Sequence, residues 1–266
     1  MDYAALVLIG LVMGLFGGLL GIGGSVVMIP AMAMVFGENQ HLYQAAAMIC
    51  NFFVSISALV SHRKEKVLVA SVLKWMIPLG ITGILVGVTI SNASVFAGDK
   101  SYLLGRAFGV FLVYVIVYNT LKLVRPKRAI NAETGERSFS KTVSMIIGSV
   151  TGTAAGLLGM GAGTVSTPLQ QIWLKMPIKK AMSNSSAMIT SMALIGALYK
   201  NLTLGRHGLD MADSVRIAAV IIPTAIVGGF FGGKLMHALP KNVVRAVFVG
   251  VLILAAIKML TLKPVV

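Results

Sequence analysis

The chain has 266 residues, of which 57% are hydrophobic and only 12% are charged, and its formal net charge is +15. Soluble domains carry roughly 25% charged residues, so this composition excludes an ordinary soluble domain and favours a polytopic helical membrane protein. Lysine and arginine lie in short segments between apolar runs, as the positive-inside rule expects, which argues against a nucleic-acid partner. The single cysteine, Cys50, excludes an internal disulfide and a cysteine-cluster metal site.

The first apolar run covers residues 4–36 and has no basic segment before it, so we expect it to be retained as membrane structure and not cleaved as a leader. As a straight helix, about 33 residues would reach ~50 Å, whereas a hydrocarbon core is ~30 Å thick. Glycine weakens helices, so Gly21, Gly23 and Gly24 predict a break in the run. The run is then either a discontinuous spanning helix or a hairpin, and its length and central glycines favour the hairpin.

Three further apolar helices follow the broken run in the first half, and they are predicted at about 43–61, 69–91 and 103–124. A hydrophilic connector at 125–141 separates this half from the next. The second half has the same order of features, with a glycine-broken run and then three apolar helices. Its segments are predicted at 143–174, 180–199, 214–236 and 243–262.

The two halves also share residues at matching positions. Seven residues recur 138 positions later in the second half, namely Gly14, Gly18, Leu19, Leu20, Gly21, Gly23 and Pro30, as Gly152, Gly156, Leu157, Leu158, Gly159, Gly161 and Pro168. The Pro-x4-Gly-x3-Gly pattern that begins at Pro78 recurs 145 positions later at Pro223. These matches predict a duplicated chain with a first membrane repeat at 1–124 and a second at 142–266.

The predicted fold is therefore an all-α polytopic membrane protein with two homologous repeats. Each repeat has a glycine-broken or re-entrant helix followed by three spanning helices. The repeats are parallel if the broken runs span the membrane and inverted if the runs are hairpins, and the distribution of positive charges fits both arrangements.

Acidic residues are few, and all eight lie in termini or connectors. Proton relays and bound cations usually require carboxylates within the membrane, so proton coupling through a buried acid and cation transport are both disfavoured. His41, His62, His207 and His237 fall near helix ends, where we interpret them as interfacial residues. The pattern predicts no metal and no cofactor.

Glycine backbone and small polar side chains remain as candidates to line a site. At a broken helix, free backbone N–H groups and the positive end of the half-helix dipole point into the gap, which suits an anion. Hydroxyl and amide groups after the breaks and on the following helices add donors. The candidate substrate-binding residues are Gly21, Gly23, Gly24, Ser25, Asn51, Ser55, Gly159, Gly161, Gly163, Thr164, Asn184, Ser185 and Ser186.

Other interpretations of these glycines were weighed. The Gly-x3-Gly series that begins at Gly10 and the series that begins at Gly148 are typical of close helix packing. A nucleotide-binding loop is excluded because no strand precedes the glycines and no Gly-Lys-Ser/Thr follows. The predicted helices contain no nucleophile paired with a base, so the sequence does not indicate an enzyme.

The doubled Gly-Leu-Leu-Gly-x-Gly motif with its following proline, the Ala- and Ser-rich helix after it and the Pro-x4-Gly-x3-Gly helix together resemble the sulfite exporter TauE/SafE family. The resemblance covers roughly residues 5–262. The family pattern often has a third successive glycine, where this chain has Ser25 in the first copy and Ala162 interrupting the second.

What the resemblance implies is a permease that exports sulfite, sulfoacetate or other organosulfonates across the plasma membrane of a prokaryote. Uptake of another anion, a channel-like facilitator and a non-transporting membrane scaffold are the alternatives. The expected partners are a small anionic substrate and the lipid bilayer, with a homodimer left open.

Overall fold

The computed structural model describes residues 2–20, 24–63, 68–124, 139–238 and 241–262. Within these ranges the chain forms ten α-helices and three short 3-10 turns, and no strand is present in this described part. The helices are α1 (Tyr3–Leu20), α2 (Ser25–Phe36), α3 (Gln40–Arg63), α4 (Ala70–Ser91), α5 (Ser101–Val124), α6 (Lys141–Leu158), α7 (Gly163–Trp173), α8 (Ile178–Leu202), α9 (Met211–Ala238) and α10 (Lys241–Leu260). The all-α prediction is confirmed.

Both glycine-rich runs are interrupted where the sequence predicts a break. The first run divides into α1 and α2 between Leu20 and Ser25, and the second divides into α6 and α7 between Leu158 and Gly163. Five of the described helices are long and apolar enough to cross a membrane, within Ala70–Ser91, Gly98–Leu121, Lys141–Leu158, Lys180–Leu202 and Met211–Gly232. The chain is therefore a multi-pass membrane protein.

Small residues bring two helix pairs into close contact, α6 with α4 and α1 with α9. A Cβ added at Gly152 would overlap the carbonyl oxygen of Gly80, and one added at Gly156 would overlap that of Ile84. On α1, a Cβ at Gly10 would approach the carbonyl oxygen of Ile221 on α9, and one at Gly14 would overlap that of Ala225. Glycine permits this backbone-to-backbone approach, so the predicted packing role of these Gly-x3-Gly series is confirmed.

The register of these contacts shows that each pair is parallel, because residue numbers rise together on both helices. The α3–α8 pair is antiparallel. His41 contacts Lys200 at one end of it, and Ser55 contacts Thr190 further along. Beyond the other end of α3, the N–H of Val69 donates to Asn184.

These directions show that the chain reverses at both breaks. α9 begins just after His207, at the end of the molecule where His41 and Lys200 meet, and leads away from it. α1 is parallel to α9 and so leads away as well. α2 returns, since it ends four residues before Gln40 and the hydroxyl of Tyr43 donates to the Gly37 carbonyl. The hairpin favoured from the sequence matches this course.

The chain also reverses at the second break, but there the first helix approaches the Lys200 end and the second leads away from it. α6 is parallel to α4, which ends at Ser91 beside Lys200. α7 ends at Trp173, five residues before α8 begins at Ile178, and Lys200 lies near the far end of α8. The end of α7 is therefore at the end of the molecule opposite Lys200. α6 therefore approaches the Lys200 end and α7 leads away from it. Two helical hairpins thus enter the molecule from opposite ends.

Candidate functional site

The two breaks contact each other inside the protein. The backbone N–H of Gly161, between α6 and α7, donates to the hydroxyl of Ser25 at the start of α2, and the two atoms are 2.7 Å apart. Ser25 is fully buried. Two predicted site residues that are 136 positions apart in the sequence are therefore joined directly.

Gly159 ends α6 in the left-handed region, with φ of 71°, and its N–H donates to the Ala155 carbonyl. A side chain at this position would be strained and would also collide with Gln44 of α3. Gln44 is fully buried, and its Nε2 donates to the carbonyl oxygen of Leu157, 3.1 Å away. Its Oε1 has no hydrogen-bond partner among the described residues. The sequence pattern did not single out Gln44, although an amide inside an apolar helix is a signal that would have found it.

A polar network joins α7 to α8 beside the second break. The Ser185 hydroxyl accepts hydrogen bonds from Thr167 and from Nε2 of Gln170, each at 3.0 Å. Nδ2 of Asn184 donates to Oε1 of Gln170 at 3.3 Å. All four side chains are buried, so this predicted part of the site is a closed, hydrogen-bonded interface in the structure.

The remaining predicted residues are more scattered. Ser55 pairs with Thr190 across α3 and α8 at 2.9 Å, and the Ser186 hydroxyl donates to the Met182 carbonyl of its own helix. The Thr164 hydroxyl donates to the Gly161 carbonyl.

Asn51 is buried on α3. Gly24 packs against Met13, and Gly163 begins α7. Gly21 and Gly23 lie outside the described residues.

Two helix N-termini begin at the breaks, and neither carries a side-chain cap. α2 follows Gly24 and α7 follows Ala162, both without a capping hydrogen bond. The first N–H groups of an α-helix have no partner within the helix, and the dipole makes that end positive. The breaks are therefore rich in donors. Within the described ranges, no group of three or more His, Cys, Asp or Glu side chains is placed to hold a metal ion.

A cavity of about 500 Å³ lies away from the breaks, at the junction of α8 and α9, where Asn201, Gly205, Gly208, Asp210 and Met211 line it. None of the predicted site residues lines this cavity. At the breaks themselves, Ser25, Gly161 and Thr164 are buried.

His41 lies in the first turn of α3, near a helix end as predicted, but its side chain is buried inside the protein. His41 is only 3% exposed and stacks on His207, with ring centroids 3.6 Å apart. α8 also extends past its predicted end at 199, so that Lys200 is a fully buried residue of that helix and not part of a loop. Burial lowers the pKa of His207 from its ordinary value of 6.5, and the charges of Lys200 and Arg206 lower it further. The sequence pattern missed this group because its members come from distant segments.

The described part of the chain is that of a multi-pass helical membrane protein with two broken helices, which form opposed hairpins in contact with each other. This architecture is typical of transporters. The chain belongs to the sulfite exporter TauE/SafE family, whose model matches residues 6–259. This match confirms the resemblance seen in the doubled glycine motif, and the family is one of membrane transporters.

Curated relatives are described as probable membrane transporter proteins. MamO of Paramagnetospirillum magneticum is 26% identical over 289 residues, an alignment that covers 98% of this chain and 45% of that protein. YunE of Bacillus subtilis is 25% identical, with 91% of this chain and 90% of the relative covered. A relative from Xylella fastidiosa is 28% identical, with 93% and 89% covered. The chain thus spans less than half the length of MamO. No solved structure matches it.

Proposed function

We propose that this protein is a permease that exports small sulfur-containing anions, such as sulfite, sulfoacetate or another organosulfonate, across the plasma membrane of a prokaryote. The substrate site lies between the two breaks. The observation that carries the proposal is the buried hydrogen bond from the Gly161 N–H to Ser25, because it places two donor-rich helix starts at one point. Transporters use the ends of broken helices in this way to bind ions at mid-membrane depth.

Equivalent contacts in the two halves support a site formed between inverted repeats. Gly152 of α6 packs on Gly80 of α4, and its counterpart Gly14 of α1 packs on Ala225 of α9. The shifts of 138 and 145 positions that relate these residues are the same shifts that relate the sequence motifs. The antiparallel α3–α8 pair, whose members are counterparts of each other, is what an inverted repeat would give and a parallel repeat would not.

An anion fits this site better than a cation does. The described acidic side chains, Asp2, Glu38, Asp99, Asp210 and Asp213, lie outside the region of the breaks, in connectors or at helix starts. The breaks offer backbone N–H groups, the positive ends of α2 and α7, and small hydroxyls. Backbone donors at helix starts bind anionic groups without a positively charged side chain.

Export is the direction that the membrane potential favours. An inside-negative potential of 100 mV is worth about 2.3 kcal/mol for each elementary charge, which corresponds to a roughly 50-fold concentration ratio for a monoanion. A carrier of this kind needs no coupled proton to move an anion outward.

The proposed movement is a displacement of the α1–α9 pair against the α4–α6 pair about the breaks, and each pair joins one helix of the first repeat to one helix of the second. The α1–α9 and α4–α6 pairs have backbones in contact through glycine, so each pair moves as one body. The hydrogen bonds that must change include Ser25 with Gly161, which joins the two hairpins, and Gln44 with Leu157, which joins α3 to the second hairpin. Exchange of these hydrogen bonds would open the breaks to one side or the other.

The variant Gly161→Leu tests this site. We expect it to insert and fold but to lose sulfite and sulfoacetate efflux from proteoliposomes, because the leucine side chain fills the point where the breaks meet. Gly250→Leu is the matched control, since a Cβ at Gly250 on α10 would have nothing within 4 Å. Equal efflux from both variants and the wild-type protein would overturn the proposal.

A further inference from the structure

Five residues from α3, from α4 and the residue that follows it, from α8 and from the Leu204–His207 turn form a polar group at one end of the molecule, and three of the five are buried. We call it the Lys200 cluster, and it comprises His41, Ser91, Asn92, Lys200 and His207. Nζ of Lys200 lies 3.0 Å from Nδ1 of His41 and donates to the Ser91 hydroxyl and to Oδ1 of Asn92, both at 2.8 Å. One amine therefore ties α8 to both α3 and the end of α4.

The amine has no negative partner. Lys200 is 0% exposed, and the three acceptors around it are a neutral imidazole, a hydroxyl and an amide. No described carboxylate forms an ion pair with it, and the ion pair present in the described residues, Arg216 with Asp213, is exposed on α9. Burying a cation without a counter-ion is unfavourable, so a charge on this amine depends on its three hydrogen-bond contacts.

The partners of the two histidines fix which nitrogens carry hydrogen. Nε2 of His41 lies 2.8 Å from the Phe96 carbonyl oxygen, which only accepts, so that nitrogen is the donor and Nδ1 accepts from Lys200. Nε2 of His207 likewise donates to Oδ1 of Asn92 at 3.2 Å. Nδ1 of His207 has no hydrogen-bond partner among the described residues.

The charged and titratable groups that face the amine are therefore few. α3 contributes His41, and the Leu204–His207 turn contributes His207 and the cationic Arg206. From α4 and the segment after it come only neutral groups, the Ser91 hydroxyl, the Asn92 amide and the Phe96 carbonyl. The acidic side chains at this end of the molecule, Glu38, Asp99 and Asp210, form no ion pair with Lys200 in the described residues, and the two rings beside the amine are bases.

We propose that Lys200 is a proton-binding residue whose protonation state controls the position of α8 relative to α3 and α4. On release, an N–H bond of the ammonium breaks, the proton passes to water, and the amine keeps the electron pair. A neutral amine has two hydrogens for three acceptors, so one of the contacts to His41, Ser91 or Asn92 is lost. The end of α8 is then free to separate from α4.

The link to anion movement rests on the proposed transport function. α8 carries Asn184 and Ser185 of the polar network beside the second break, and α3 carries Gln44 one turn beyond His41. A loosened contact between these helices at the Lys200 cluster is therefore transmitted along both helices to the breaks. Protonation would set the rate of opening and would not supply the driving force.

Histidine titration by NMR tests the proton site without any assay of transport. Protein with ¹³C-labelled histidine is titrated in lipid nanodiscs, and the His207 signal is assigned from its loss in His207→Gln. We expect two inflections for His207 in the wild-type protein, one from its own ring and one from Lys200, since both donate to Oδ1 of Asn92. Lys200→Arg keeps a charge that cannot be released, so it should remove the second inflection.

Two further variants complete the test. Lys200→Met should also leave one inflection. It gives the same test if the arginine side chain cannot be accommodated at this buried position. Lys100→Met removes an exposed cation from a nearby turn and should leave both inflections. A single inflection in the wild-type protein, or a second one that persists in Lys200→Arg or Lys200→Met, would overturn the proposal. Two inflections with no anion flux would keep the proton site and reject the transport function instead.

Discussion

The hydroxyl of Ser25 accepts a hydrogen bond from the backbone N–H of Gly161, and this 2.7 Å contact joins the turn of the first helical hairpin to the turn of the second. The two hairpins come from opposite ends of the molecule. Their meeting point is buried and lies at the uncapped start of a helix. It is the feature on which the proposed anion site depends.

Removing the hydroxyl in Ser25→Ala should weaken both the fold and the transport. The N–H of Gly161 would be left buried without a partner, which costs about 1–3 kcal/mol. The thermal unfolding midpoint in detergent should fall by several degrees, and anion flux should fall with it. Ser191→Ala is the control, because among the described residues that hydroxyl bonds to the Ala187 carbonyl of its own helix α8. A Ser25→Ala protein as stable and as active as the control would contradict this role.

Gly159→Ala and Gly208→Ala form a matched pair. Both glycines have left-handed backbone, with φ of 71° and 68°, so alanine costs each about 1–2 kcal/mol. A Cβ at Gly159 also meets Gln44, whereas one at Gly208 meets nothing within 4 Å. Gly159→Ala should therefore lower the unfolding midpoint further than Gly208→Ala. Equal losses would show that the Gln44 contact is not tight.

Gly152→Ala should destabilise the α4–α6 pair, because its Cβ would overlap the carbonyl of Gly80. Overpacking of this kind costs about 1–3 kcal/mol. Gly250→Ala, with open space around its Cβ, should instead stabilise its helix by about 0.5–1 kcal/mol. The two variants should shift the thermal midpoint in opposite directions. A shift in the same direction would contradict the glycine-mediated packing.

Cysteine labelling tests the reversal of the chain at both breaks. In a Cys50→Ser background, an impermeant maleimide should reach Asp99→Cys and Asp210→Cys from one side of the membrane and Ile178→Cys from the other. Asp99 and Asp210 are near the Lys200 end, whereas Ile178 begins α8 at the opposite end. If the broken helices spanned the membrane, Asp99→Cys and Ile178→Cys would label together and Asp210→Cys would label from the other side.

Much of this architecture follows from local sequence. Long apolar runs predict the helices, and their observed ends lie within a few residues of the prediction, as for α4 at Ala70–Ser91. The glycine-rich steps predict both breaks, because each apolar run is too long for one membrane crossing and glycine weakens a helix. The Gly-x3-Gly spacing likewise predicts close packing, as Gly152 and Gly156 show.

The partners of these segments could not be predicted in the same way. The length of the first apolar run favours a hairpin without excluding a broken spanning helix. The antiparallel α3–α8 pair and the parallel α1–α9 pair separate the two. The Lys200 cluster escaped prediction because a lysine at a helix end usually marks the membrane interface. Its burial depends on acceptors from Ser91 and His41, which are more than 100 positions away.

The most direct test of the account is sulfite and sulfoacetate efflux from proteoliposomes at equal pH on both sides, under a potassium-diffusion potential that is negative inside. The account predicts efflux that rises with the potential, reverses when the potential is reversed and is lost in Gly161→Leu but not in Gly250→Leu. Folded wild-type protein that moves neither anion at any potential, or flux that ignores the potential, would contradict it.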